Sequence, residues 1–95
     1  MFAVIFKAEV AGLDEEYQTM AEHMRNLAIE KYGCLEFSSA TEGDREIAVS
    51  YWETEDQIKE WKNDSEHLLA QEQGRNKWYE SYRVQIVEIL REYGG

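Results

Sequence analysis

Among the side chains of this sequence, the His67 imidazole is the most interesting candidate for proton chemistry near neutral pH. A neutral imidazole there could take a proton from a phenolic substrate. Its plainer role is a surface helix residue beside Glu66. His23, next to Glu22, reads as a partly exposed helix residue. Trp52 and Trp61 could flank a planar ligand, although each would also serve as a large core residue. Trp78 and Tyr79 are expected to hold the final helix in place. Tyr17, Tyr32, Tyr51, Tyr82 and Tyr93 are amphipathic and could hydrogen-bond a quinone oxygen, or simply pack. Cys34 follows the helix-ending Gly33, where the helix dipole disfavours a thiolate, so it reads as packing. His23, Cys34 and His67 are too dispersed for a metal motif, and no metal site is expected. No glycine-rich phosphate loop and no Ser-His-Asp ordering occurs, so nucleotides, flavins and triad chemistry lack support.

These residues need elements to position them. Phe2 to Glu9 is β-branched and aromatic and predicts a strand. Residues 14–31 carry Tyr17, Met20, Ala21, Met24, Leu27 and Ala28 at three- and four-residue steps, which predicts a helix closed by Gly33. Leu35–Ala40 and Glu46–Trp52 alternate around Glu42-Gly43-Asp44, a hairpin signal. Thr54-Glu55-Asp56-Gln57 has the form of a capping box and should open a helix that turns Ile58 and Trp61 inward. Asn63-Asp64-Ser65 looks like a second start, so this helix is expected to break and restart. That restart matters to His67. In one unbroken helix the six residues from Trp61 amount to about 240° around the axis, which separates the two side chains. A last strand is expected from Tyr82 to Tyr93, apolar on both faces and buried on both rather than bulged.

The order β-α-β-β-α-β is the ferredoxin-like α+β plan with an antiparallel sheet. Two helices cover one sheet face, and the other face is apolar too. A second copy packed sheet against sheet would cover it, so a homodimer is expected.

The 95 residues predict a single domain, 1–95. Twenty acidic residues against ten basic ones give a net charge of −10, which argues against nucleic acid and anionic membranes as partners. One cysteine excludes an intramolecular disulfide. No leader and no apolar run long enough to span a bilayer is seen, so the expected home is cytoplasmic.

One series of residues runs through the second half of the chain. Tyr51-Trp52-Glu53-Thr54-Glu55 ends a strand and opens a helix, and Trp61-Lys62 follows on that helix. Glu66-His67, Ala70-Gln71, Gly74-Arg75, Trp78-Tyr79 and Tyr82 then lead into the final strand. With the Tyr32-Gly33-Cys34 turn and the Glu42-Gly43 hairpin, this series resembles the antibiotic biosynthesis monooxygenase (ABM) domain family over almost the whole chain. The resemblance implies a ferredoxin-like subunit that dimerises into an α+β barrel, with a pocket in each subunit between sheet and helices. It implies a cofactor-independent monooxygenase acting on a small aromatic or quinol-like substrate. His67 is then the candidate catalytic base, and Trp52, Trp61, Gln71, Trp78 and Tyr82 are the candidate substrate-binding residues. The heme-degrading members have a helical tryptophan, matched by Trp61, but their ligating histidine falls where this chain has Gln71, and their first-strand asparagine falls near Lys7. Heme is therefore not expected, and no cofactor is assigned. The quinol-oxidising members share the tryptophan matched by Trp52, and Ala48 stands where they carry an asparagine. The alternative is a non-catalytic dimeric protein that binds a small molecule.

Overall fold

The computed structural model describes residues 1–11, 15–73 and 78–95, with 66–73 described as backbone alone. In chain order it contains β1 (Phe2–Val10), α1 (Glu15–Lys31), β2 (Glu36–Glu42), β3 (Arg45–Trp52), α2 (Glu55–Gln73) and β4 (Tyr79–Glu88). The strands form one sheet in the order β2-β3-β1-β4, and each neighbouring pair is antiparallel. This is the ferredoxin-like α+β subunit that the sequence predicts.

Register decides which residues meet the helices. Val4, Phe6 and Ala8 of β1 lie opposite Ser50, Ala48 and Glu46 of β3. The same three lie opposite Ile86, Val84 and Tyr82 of β4. Side chains on a strand alternate between faces, so these residues share one side of the sheet. Val4 packs there with Ala28, Cys34, Trp52 and Ile58 in one buried cluster. Ala8 and Val10 pack with Tyr17, Met20 and Trp78 in a second. Ile58 is 1% exposed; burying such a side chain contributes about 1.5–3 kcal/mol.

The punctuation works as its residues dictate. Gly33 has φ +80°, the left-handed conformation of a helix-ending glycine, and Cys34 N–H donates to the Ala28 carbonyl at 2.9 Å, which closes α1. Gly43 has φ +62° and, with Asp44, joins Glu42 to Arg45 in a two-residue hairpin. Thr54 Oγ1 accepts from Gln57 N–H and Gln57 Oε1 accepts from Thr54 N–H, both at 3.3 Å. That is the expected capping box.

Three expectations are corrected. Helix α2 runs unbroken through Asn63-Asp64-Ser65 to Gln73. Both capping side chains are engaged elsewhere: Ser65 Oγ donates back to the Trp61 carbonyl within the helix, and Asp64 accepts from Tyr32 Oη at 2.7 Å. Strand β4 begins at Tyr79 and ends at Glu88, earlier at both ends than Tyr82–Tyr93. Tyr79 is thus a strand residue, paired with Val10 across a bulge. The strand does contain that irregularity, but at its start, and within one chain residues 80–88 are exposed on both faces rather than buried.

Candidate functional site

A cavity of about 530 Å³ lies between the helix-facing side of the sheet and the two helices. That volume suits a small organic ligand. Its floor comes from alternate sheet residues, among them Phe6, Phe37, Glu46, Ala48 and Val84. Tyr17, Ala21, Met24 and Arg25 of α1 form one wall, and Trp61, Lys62 and Ser65 of α2 another. Tyr79 and Tyr82 of β4 complete it.

Trp61 is held in the wall from several sides. Its indole N–H donates to the Met24 carbonyl of α1 at 3.0 Å. Its ring lies 5.3 Å from that of Trp52 and meets Phe37 edge-on at 6.0 Å. Trp52 itself is fully buried and is absent from the cavity lining; its indole N–H donates to Ser50 Oγ at 2.9 Å. It therefore backs Trp61 rather than flanking the space. Trp78 is likewise buried, edge-on to Tyr17 at 5.7 Å, and stands behind the wall. Tyr82 lines the cavity and stacks on Phe6 at 6.1 Å.

Polar groups also reach the cavity from β3, β4 and α1. Tyr79 Oη donates to Tyr17 Oη across a long 3.4 Å contact. Burial, and then the charge of Glu46, hold the Tyr79 phenol far above its usual range, so it stays a protonated donor. Glu46 sits half-buried on β3, and burial pushes its carboxyl above the usual carboxylate range. Cys34 is buried outside the cavity, and burial pushes its thiol up, in line with a packing role.

The candidate residues thus divide. Trp61 and Tyr82 both line the cavity, while Trp52 and Trp78 sit behind it. The side chains of His67 and Gln71 lie outside the described residues. The unbroken α2 removes the restart by which His67 was to be turned toward Trp61. Glu46, Tyr79 and Phe37 were not singled out as site residues. The alternation Glu46-Ala48-Ser50-Trp52, with a buried tryptophan at its end, carried the signal for Glu46. Among the described residues no group of His, Cys, Asp and Glu could hold a metal ion, and no helix is long and apolar enough to cross a membrane.

No protein-family profile matches the chain. Two curated relatives do. The uncharacterized protein YqjZ of Bacillus subtilis is 41% identical over 92 residues, covering 96% of this chain and 81% of that protein. The jasmonate monooxygenase ABM of Pyricularia oryzae is 27% identical over 93 residues, covering 94% of this chain and 43% of that protein. Solved structures share the fold. SnoaB, a cofactor-independent oxygenase from Streptomyces nogalater, superposes with a TM-score of 0.75 at 10% identity, covering 96% of this chain and 94% of its own. An MhuD mutant carrying two manganese protoporphyrin IX per active site superposes with a TM-score of 0.68 at 24% identity, covering 100% of both chains. Relatedness to YqjZ along nearly the whole length, the likeness to the jasmonate enzyme and the shared fold place the sequence in one group: the chain belongs to the antibiotic biosynthesis monooxygenase (ABM) domain family.

Proposed function

We propose that this protein is a cofactor-independent monooxygenase acting on a small aromatic or quinol-like substrate, and that it works as a cytoplasmic homodimer. The observation that carries the reading is the cavity, apolar and aromatic over most of its wall, with the Glu46 carboxyl and the Tyr17–Tyr79 pair in its lining. Triplet oxygen reacts slowly with closed-shell molecules. A substrate that loses a proton becomes an electron-rich anion and can itself give oxygen the first electron. The protein then needs a dry pocket, a base, and donors for the developing anion. The names of the jasmonate monooxygenase and of SnoaB support the same reaction class.

The dimer is supported by the sheet face that no helix covers. Ile47 and Val87 are 43% and 38% exposed there, beside half-buried Ile5 and Val49. A second copy packed on this face would bury them. Sedimentation at micromolar concentration should give about twice 11.2 kDa; a clean monomer would remove the barrel.

Heme is the ligand of a different reading, favoured only by the porphyrin in the MhuD structure. Gln71 argues against it, because a neutral amide is a poor axial ligand to iron. The test is oxygen uptake and binding with quinols, anthrones and heme in parallel. Uptake with a quinol or anthrone is expected. Tight one-to-one heme binding with no uptake from the others would overturn the proposal, and binding of an aromatic without uptake would put the non-catalytic binding protein in its place.

A further inference from the structure

We infer that Glu46 is the catalytic residue that accepts the substrate's proton in this cavity. The assignment rests on the cavity being a substrate pocket, as proposed above.

Glu46 follows the hairpin on β3, opposite Ala8 of β1 and Thr41 of β2. Its row continues through Ala48, Ser50 and Trp52, all buried against the helices. Among the described acidic residues only Asp64 is also half-buried, and it is paired with Tyr32; the others are exposed. Ala8 is small, so the space toward Tyr82, its partner on β4, stays open. Glu46 Oε2 is closed off from solvent and has no hydrogen-bond partner among the described residues. That oxygen is stripped of the water that would weaken it as a base, while the half-buried side chain as a whole lines the cavity. Its raised proton affinity agrees.

The surrounding groups suit the role. From α1 the cavity receives Tyr17, Glu22 and Arg25; from α2, Lys62; from β4, Tyr79 and Tyr82. The Tyr79 phenol is held protonated by burial and by the charge of Glu46, so it cannot compete as the base. It can donate to an oxygen that gains charge as the proton leaves.

With an anthrone as substrate, a ring-methylene C–H bond breaks and its proton forms an O–H bond on Glu46. The electron pair moves into the ring and leaves the carbonyl oxygen as an oxyanion. Oxygen adds at that carbon as a peroxide, which takes up a proton. Loss of water, with the second methylene hydrogen, leaves a quinone, so one O2 oxidises one anthrone and yields one water.

The test separates the proton step from oxygen chemistry. Wild type is mixed with 1,8-dihydroxyanthrone under nitrogen in D2O, and deuterium at the methylene is counted by mass spectrometry. Wild type should accelerate exchange over buffer. Glu46→Gln should lose roughly 10²–10⁴-fold of that acceleration, keep the far-ultraviolet circular dichroism of the wild type, and bind the probe within about threefold by tryptophan fluorescence. Glu46→Asp should restore part of the exchange. Exchange by Glu46→Gln within about threefold of wild type would overturn the inference, as would no acceleration by wild type. His67→Ala is read in parallel, and a collapse confined to that variant would move the base to the imidazole. Oxygen uptake is then read on the same samples in air. Glu46-dependent exchange without uptake would sink the oxygenase reading and leave the proton acceptor standing; uptake that survives in Glu46→Gln would do the reverse.

Discussion

Trp61 joins α2 to three other elements, and the effect of its replacement can be worked out from those contacts. The indole N–H reaches the Met24 carbonyl of α1 at 3.0 Å from α2, and the ring rests on Trp52 of β3 and Phe37 of β2. Trp61→Phe keeps an aromatic ring but deletes the hydrogen bond, worth about 1 kcal/mol. It also trims the contact with Trp52, for a total of about 1–1.5 kcal/mol. Trp61→Ala removes the ring as well. Full core truncation of tryptophan costs about 3–5 kcal/mol, and Trp61 is half-buried, so the low end of that range, about 3 kcal/mol, is expected in all. Each kcal/mol corresponds to about 4–8 °C in Tm for a chain near this size. The assay is urea unfolding followed by far-ultraviolet circular dichroism, because the fluorescence itself changes. Protein concentration is held fixed, since a dimer would make stability concentration-dependent. Binding of a planar aromatic to Trp61→Ala should weaken by about 1–3 kcal/mol. A Trp61→Phe variant as stable as wild type would show that the bond to Met24 fastens nothing. A Trp61→Ala variant with unchanged affinity would take the indole out of the binding wall.

Three other outcomes are expected. Ser50→Ala should cost about 1–3 kcal/mol by stranding the buried Trp52 N–H, and adding Trp52→Phe to it should cost less than the two single changes summed; strict additivity would deny the coupling. Cys34, buried and with its thiol pushed up, should resist alkylation in the native protein and react on unfolding; fast native labelling would contradict the packing. Burial raises the Glu46 carboxyl in the folded state, so its contribution is fully present below the unfolded value and is lost as pH rises through the folded one. Glu46→Gln should therefore have the higher Tm at about pH 7–8, with the advantage gone by about pH 3–4; a lower Tm than wild type at the alkaline end would reverse the sign and the reasoning.

The fold is legible in the sequence because each local signal agrees with its neighbour. The apolar steps of α1, the Gly43 turn and the Thr54–Gln57 box all form as their chemistry requires. The restart at Asn63-Asp64-Ser65 misleads because serine and aspartate cap helices only when nothing better is in reach. Here Ser65 bonds back to Trp61, and Asp64 meets Tyr32, which lies 32 residues earlier in the chain. No local pattern contains that partner. The site is less legible. Three tryptophans are alike in the sequence, yet only register and helix packing put Trp61 in the wall and Trp52 and Trp78 behind it. Glu46 is hidden by abundance, as one of twenty acidic residues whose usual place is the surface. Its partial burial follows from sharing a strand face with Trp52, which the two-residue alternation of β3 shows and composition does not.

The most direct measurement is oxygen consumed per anthrone oxidised by chelator-treated protein, with Trp61→Ala and Glu46→Gln alongside. One O2 per quinone formed is expected from wild type, with weaker saturation in the first variant and a collapsed rate in the second. No oxygen uptake above buffer with any quinol or anthrone that binds the cavity would contradict the account.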